Sequence, residues 1–154
     1  MRTTRPIRHD AKYFFFEVKI IKGLEEPKNG GLAIGLGTRG SNQTGVDPNT
    51  VCYITQDDQG GIIQEGALLS QGLPISEGDK LECTVRSIDL GYEKCWEYMF
   101  TRNGKDVGPW HYVKACEHYP EVVGVATGLE IQVTLGEQPN PLLLGTLILY
   151  KLLK

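Results

Sequence analysis

Gly35-Leu36-Gly37-Thr38-Arg39-Gly40 has the G-x-G-x-x-G form of a dinucleotide loop, and Asp57 follows Gly37 by twenty residues. Such a loop needs a strand before it and a helix after it, so that helix amides meet the pyrophosphate. Residues 32–36 supply the strand, but 41–50 contain Gly45 and Pro48 and lack an apolar stripe. The run reads as a glycine-rich strand end. Cys116-Glu117-His118 sets a thiol near an imidazole, which would suit a nucleophile or a metal ligand. Zinc takes four Cys/His ligands in paired spacings, whereas the other Cys and His here are scattered singly. A catalytic thiol also needs a nearby base and a lowered pKa, and neither can be read from this spacing. A loop before a strand is the plainer reading. Asp57-Asp58, followed by Gln59-Gly60-Gly61, reads as a solvated turn rather than a cation site. No G-x-S-x-G, H-E-x-x-H, Walker or EF-hand pattern occurs. No catalytic residue, no metal site and no cofactor is therefore predicted.

The elements that would position these residues are strands. Phe14, Phe16, Val18 and Ile20 alternate with Glu17 and Lys19, although Phe15 and Ile21 intrude on the polar face. The same period-two pattern runs through Leu81-Cys83-Val85, Trp96-Tyr98-Phe100 and Leu129-Ile131-Val133-Leu135. A one-residue slip would turn each apolar row to water, so the buried faces are well specified. Shorter candidates are 32–36, 51–55, 61–64 and 122–126. Asn103-Gly104 follows the aromatic row and suits a tight hairpin, whose two central residues both need positive φ. No stretch before residue 140 has an apolar helical period with caps. Many short strands and almost no helix predict an all-β fold, a two-sheet antiparallel β-sandwich.

Composition agrees. A chain of 154 residues suits one domain and needs no disulfide or metal to hold it. Its 19 glycines are about 12% of the chain, against an average near 7%, which fits many turns. The net charge of −3 argues against a basic nucleic-acid face and against electrostatic docking on anionic membranes. Cys52, Cys83, Cys95 and Cys116 form no C-x-x-C pair, and Cys83 and Cys95 fall in apolar alternation where a free thiol behaves as a small hydrophobe. Residues 1–10 lack the apolar run of a secretion signal. Reduced thiols and a cytoplasmic location are expected, with the nucleus as the alternative. Residues 142–154 are nearly all apolar but too few for a bilayer span, which takes roughly 20. They are read as a last strand or short helix packed on the domain; contact with a membrane or a partner is the alternative.

What remains is recognition. Loops at one end of a rigid sandwich commonly carry binding residues. Polar and aromatic residues outside the apolar rows are Arg5, Pro6, Thr38, Arg39, Gln43, Tyr53, Gln56, Trp110, His111 and Tyr112. Tyr, Trp and Arg dominate interface energetics, so truncating Tyr53 is expected to weaken a partner while leaving the fold intact. Partial burial under a loop is the alternative for Tyr53 and Trp110.

Seven segments in order then resemble a SPRY domain. They are Tyr13-Phe14-Phe15-Phe16-Glu17-Val18, Leu32 through Thr38, Tyr53 through Gly60, Glu77 through Cys83, Phe100-Thr101-Arg102-Asn103-Gly104, Tyr119-Pro120 through Gly124, and Thr134-Leu135-Gly136. The version resembled is that of Ran-binding-protein-M-like and ubiquitin-ligase adaptor proteins, in which a short arm like Arg5-Pro6-Ile7 precedes the first strand. Val51-Cys52 stands where that family has Trp-Gly, and Ala126-Thr127-Gly128 where one subfamily has Val-Trp-Gly. The resemblance implies domain 1–136, with an arm at 1–12, a core at 13–136 and a tail at 137–154. It also implies a non-catalytic module that captures a short peptide or loop of a partner protein, as a substrate-recruiting adaptor of a ubiquitin ligase complex does. The contact residues it implies are Arg5, Pro6, Thr38, Tyr53, Ala126, Thr127 and Gly128. A carbohydrate-binding sandwich and, further off, a Cys116-dependent enzyme are the alternatives.

Overall fold

The computed structural model describes residues 3, 5–8, 12–22, 32–38, 51–56, 59–64, 67–114, 116–124, 130–138 and 147–153. For 56, 123–124, 137–138 and 147–153 it describes the backbone alone. Eleven strands are present among them: β1 Tyr13–Lys22, β2 Leu32–Thr38, β3 Val51–Gln56, β4 Gln59–Gln64, β5 Ala67–Gly72 and β6 Lys80–Asp89, then β7 Lys94–Arg102, β8 Lys105–Lys114, β9 His118–Gly124, β10 Glu130–Gln138 and β11 Leu147–Leu153. They form two antiparallel sheets, ordered β11-β10-β1-β6-β7-β8 and β5-β4-β3-β2-β9. The all-β sandwich expected from the alternation is the observed fold, and no helix occurs among the described residues.

The alternating rows become the inner face. Phe14, Phe16, Val18 and Ile20 of β1 are buried, as are Leu81, Cys83 and Val85 of β6 and Trp96, Tyr98 and Phe100 of β7. From the other sheet Leu32, Ile34, Leu36, Val51, Tyr53 and Ile62 complete the core. The Tyr53 and Phe100 rings meet across the sandwich with centroids 5.9 Å apart. Phe15, the residue that breaks the polar alternation of β1, has its ring packed over Gly136, its cross-strand partner in β10. Cys83 and Cys95 are buried as free thiols.

The Asn103-Gly104 hairpin joins β7 to β8 with φ of 51° and 81°, the two positive angles this turn demands. Two strands were not anticipated, and the tail takes the strand form of its two expected alternatives. β5 (Ala67-Leu68-Leu69-Ser70-Gln71-Gly72) lies at an edge and contains a bulge against β4, so its burial does not alternate. β8 is broken up by Gly108-Pro109 and by a bulge against β7. β11 pairs with β10 from Glu130↔Leu153 to Gly136↔Leu147, so part of the apolar tail is strand rather than helix. The 122–126 candidate is shifted, because the strand starts at His118 and ends at Gly124. Asp57 and Asp58 lie outside the described residues.

Candidate interaction surface

The N-terminal arm runs beside β9, the edge strand of the five-stranded sheet. Ile7 N donates to His118 O at 2.8 Å and Thr3 N donates to Pro120 O at 3.1 Å. Proline inside a strand is tolerated at such an edge, where its missing N–H leaves no gap in the ladder. Arg5 is exposed and Pro6 half-buried along this arm, while Ile7 is anchored in the core. Thr38 ends β2 opposite His118, so Thr38 and the arm flank the same residue from two sides. Of the expected contact residues, these are the ones the fold brings together.

The others part from them. Gly124 pairs with Leu32 at the far end of β9, six residues from His118, or about 20 Å of strand. Ala126, Thr127 and Gly128 come after it and lie outside the described residues, as do Arg39 and Gln43. For Tyr53 the structure shows the burial alternative: it is 0% exposed, a core residue of β3, and its hydroxyl donates to Leu73 O at 2.6 Å. Like Val51 and Thr55 it lies on the inward face of β3, and it also contributes to the lining of the groove beside β5. Trp110 lies on the outer face of the six-stranded sheet with the Arg86 guanidinium 3.9 Å from its ring centroid, and Arg86 in turn bonds Glu97. Cys116 Sγ lies 3.6 Å from His118 Nδ1, and that imidazole is fully buried. Burial pushes the Cys52 thiol up to about 11, with Glu121 adding to the rise, and it pushes Cys83 up as well. Neither of those thiols is a thiolate at neutral pH.

A better-formed surface lies where β5 and β8, the edges of the two sheets, approach each other. The seam is closed at Ser70, whose Oγ is 3.4 Å from His111 Nε2, and His111 packs on Tyr98 with centroids 5.7 Å apart. Burial lowers the His111 pKa, keeping the imidazole neutral. Further along, the seam opens into a groove of ≈ 450 Å³ lined by Gly72, Leu73, Arg102, Lys105, Val107 and Gly108. Its floor depends on Gly72, because a Cβ there would come within 2.3 Å of the Tyr53 hydroxyl. Leu68, Leu69 and Leu73 are 59%, 41% and 68% exposed along β5 and the residue after it. The only hint in the sequence is the Leu68-Leu69 pair between two glycines.

The groove is held at its end by Asp79. Its Oδ2 accepts from Ser76 N at 2.8 Å and from Arg102 Nη2 at 2.6 Å, and its Oδ1 accepts from Asn103 Nδ2 at 2.9 Å. Asn103 Oδ1 accepts from Lys80 N at 2.9 Å. Burial alone would raise the Asp79 pKa; the hydrogen bonds from Asn103, Arg102 and Ser76 and the Arg102 charge outweigh it and lower it. The Gly78-Asp79 turn and the Asn103-Gly104 hairpin are thus tied into one corner.

Among the described residues no group of three or more His, Cys, Asp or Glu is arranged to hold a metal, and no helix is long and apolar enough to cross a membrane. No family model matches the chain. It is 30% identical over 142 residues to Ran-binding protein 9 of Xenopus tropicalis, and 28% identical over 142 residues to the Ran-binding proteins 9/10 homolog of Drosophila melanogaster. Each match covers 90% of this chain but only 24% and 14% of those proteins, so the chain spans a quarter of their length or less. Among solved structures it is similar to a human SPRY domain (TM-score 0.58, 24% identity, 88% of this chain and 81% of that one). It is also similar to the SPRY domain of human HERC1 (TM-score 0.59, 14% identity, 87% and 79%). With two antiparallel sheets, the motif order and these likenesses in agreement, the chain has the fold of a SPRY domain.

Proposed function

We propose that the chain is a non-catalytic protein-interaction module that captures a short peptide or loop of a partner, as a cytoplasmic substrate-recruiting adaptor does. The observation that carries this is the exposed leucine run on β5 beside the groove. Exposed apolar strips of this kind mark protein contacts. Two of the other edges are guarded: β8 carries Lys105, Asp106, Pro109 and Lys114, and the arm covers β9. β5 has no charged residue at all, so an extended, uncharged segment can lie along it and place an apolar side chain between Leu73 and Val107. A groove preformed by the Asp79 corner loses little conformational entropy on binding. The relatives are named as Ran-binding proteins, which agrees with a binding role.

The test is selection of displayed random heptapeptides on the domain. Apolar, uncharged peptides are expected to be enriched, and the double variant Leu68→Lys/Leu73→Lys is expected to lose them at least tenfold while Arg5→Ala keeps them. Loss on Arg5→Ala or Thr38→Ala alone would move the capture surface to the arm and β9. Binding on a glycan array with no peptide enriched would favour the carbohydrate reading instead.

A further inference from the structure

The outer face of the six-stranded sheet carries a second depression, of ≈ 600 Å³, on the other side of the Asn103-Gly104 hairpin. Four of its lining residues are charged: Glu17, Lys19, Lys80 and Glu82. The register of β1 against β6 sets Glu17 opposite Glu82 and Lys19 opposite Lys80. Directly opposed side chains have Cβ atoms about 5 Å apart, so both pairs repel. Exchanging Lys80 with Glu82 would have put each lysine opposite a glutamate with the same composition; the sequence has the reverse. Neighbouring strands do not compensate. β10 sets Thr134 beside Glu17 and Gln132 beside Lys19, and β7 sets Thr101 beside Glu82. Asn103 lies beside Lys80, bonding its backbone. Among the described residues the ion pairs Lys22 with Glu130, Arg86 with Glu97 and Arg102 with Asp79 leave all four out. Among the described residues Glu82 accepts only from the Thr84 hydroxyl, at 3.1 Å. Burial, together with the charge of Glu17, raises its pKa despite that bond.

The result is two short stripes of opposite sign, each self-repelling, about 7 Å apart along the strands. We propose that this depression is a second recognition surface, for an extended segment of a partner protein bearing a basic and an acidic side chain two residues apart. Such a segment has the same 7 Å spacing between alternate side chains as β1 and β6. Its cation sits between Glu17 and Glu82 and its anion between Lys19 and Lys80, so binding relieves both repulsions at once. Charge complementarity selects this occupant over an apolar or single-sign one, which would leave one stripe uncompensated.

The variant Lys80→Glu/Glu82→Lys neutralises each stripe internally and keeps the net charge. Its melting temperature at pH 7 is expected to rise by about 2–6 °C, as two repulsive cross-strand pairs become attractive. Random heptapeptides displayed against the wild-type domain are expected to include a class with a base and an acid at i and i+2. That class is expected to bind the exchange variant at least tenfold more weakly, and Glu17→Gln/Glu82→Gln is expected to remove the preference for the base alone. An unchanged or lower melting temperature, no such class on the wild type, or equal binding to the exchange variant would each overturn the proposal.

Discussion

Asp79 shows how much one carboxylate organises here: it accepts from the Ser76 backbone, the Arg102 guanidinium and the Asn103 amide. Its pKa is lowered from 3.8, so its contribution to stability is present above that value and lost as pH falls through the lowered one. Asp79→Asn is expected to lower the melting temperature at pH 7 and to bring variant and wild type together under acid, which thermal melts across pH 2–7 would check. Tyr53 acts from below. Tyr53→Phe removes the bond to Leu73 O and is expected to cost about 1 kcal/mol in denaturant unfolding. Tyr53→Ala, which also empties a core site, is expected to cost about 3–5 kcal/mol. Both differ from the result expected of an exposed contact residue, which would leave stability unchanged.

At the scale of elements, the β5–β8 seam is held by close approach rather than by ladder hydrogen bonds. Gly72→Ala would drive a Cβ into the Tyr53 hydroxyl and is expected to cost about 1–3 kcal/mol in chemical denaturation, as overpacking does. Burial lowers the His111 pKa below 6.5, so the unfolded chain takes up that proton first. The seam is therefore expected to lose stability as pH falls below 6.5, and His111→Gln should remove that part of the pH dependence in melts between pH 5 and 7. The strands most legible in the sequence were β1, β6, β7 and β10, whose alternate apolar residues form a buried row, followed by β2, β3 and β4 as shorter candidates. β5 and β8 were not legible: each is an edge strand whose periodicity is broken by a bulge, and β8 also holds Gly108-Pro109. For Tyr53 the sequence left exposure and burial both open, since its neighbours Cys52 and Ile54 are also apolar and no alternation reveals which face is inward.

For the whole molecule, the order of the short motifs disclosed the sandwich, and Asp79 and Asn103 tie the Gly78-Asp79 turn to the Asn103-Gly104 hairpin in one corner. The surfaces were hidden, because each is made by register between strands distant in sequence: Gly72 against Val107 in the groove, Glu17 against Glu82 on the opposite face. The two lie on either side of one hairpin, so a single folded corner shapes both. The central claim is that a partner peptide lies along β5 and enters the groove. Amide hydrogen exchange with and without the apolar peptide selected on the domain tests it most directly. Slowed exchange at residues 67–73 and 105–108 is the expected result. Unchanged exchange there, with protection confined to residues 3–8 and 118–124, would contradict it.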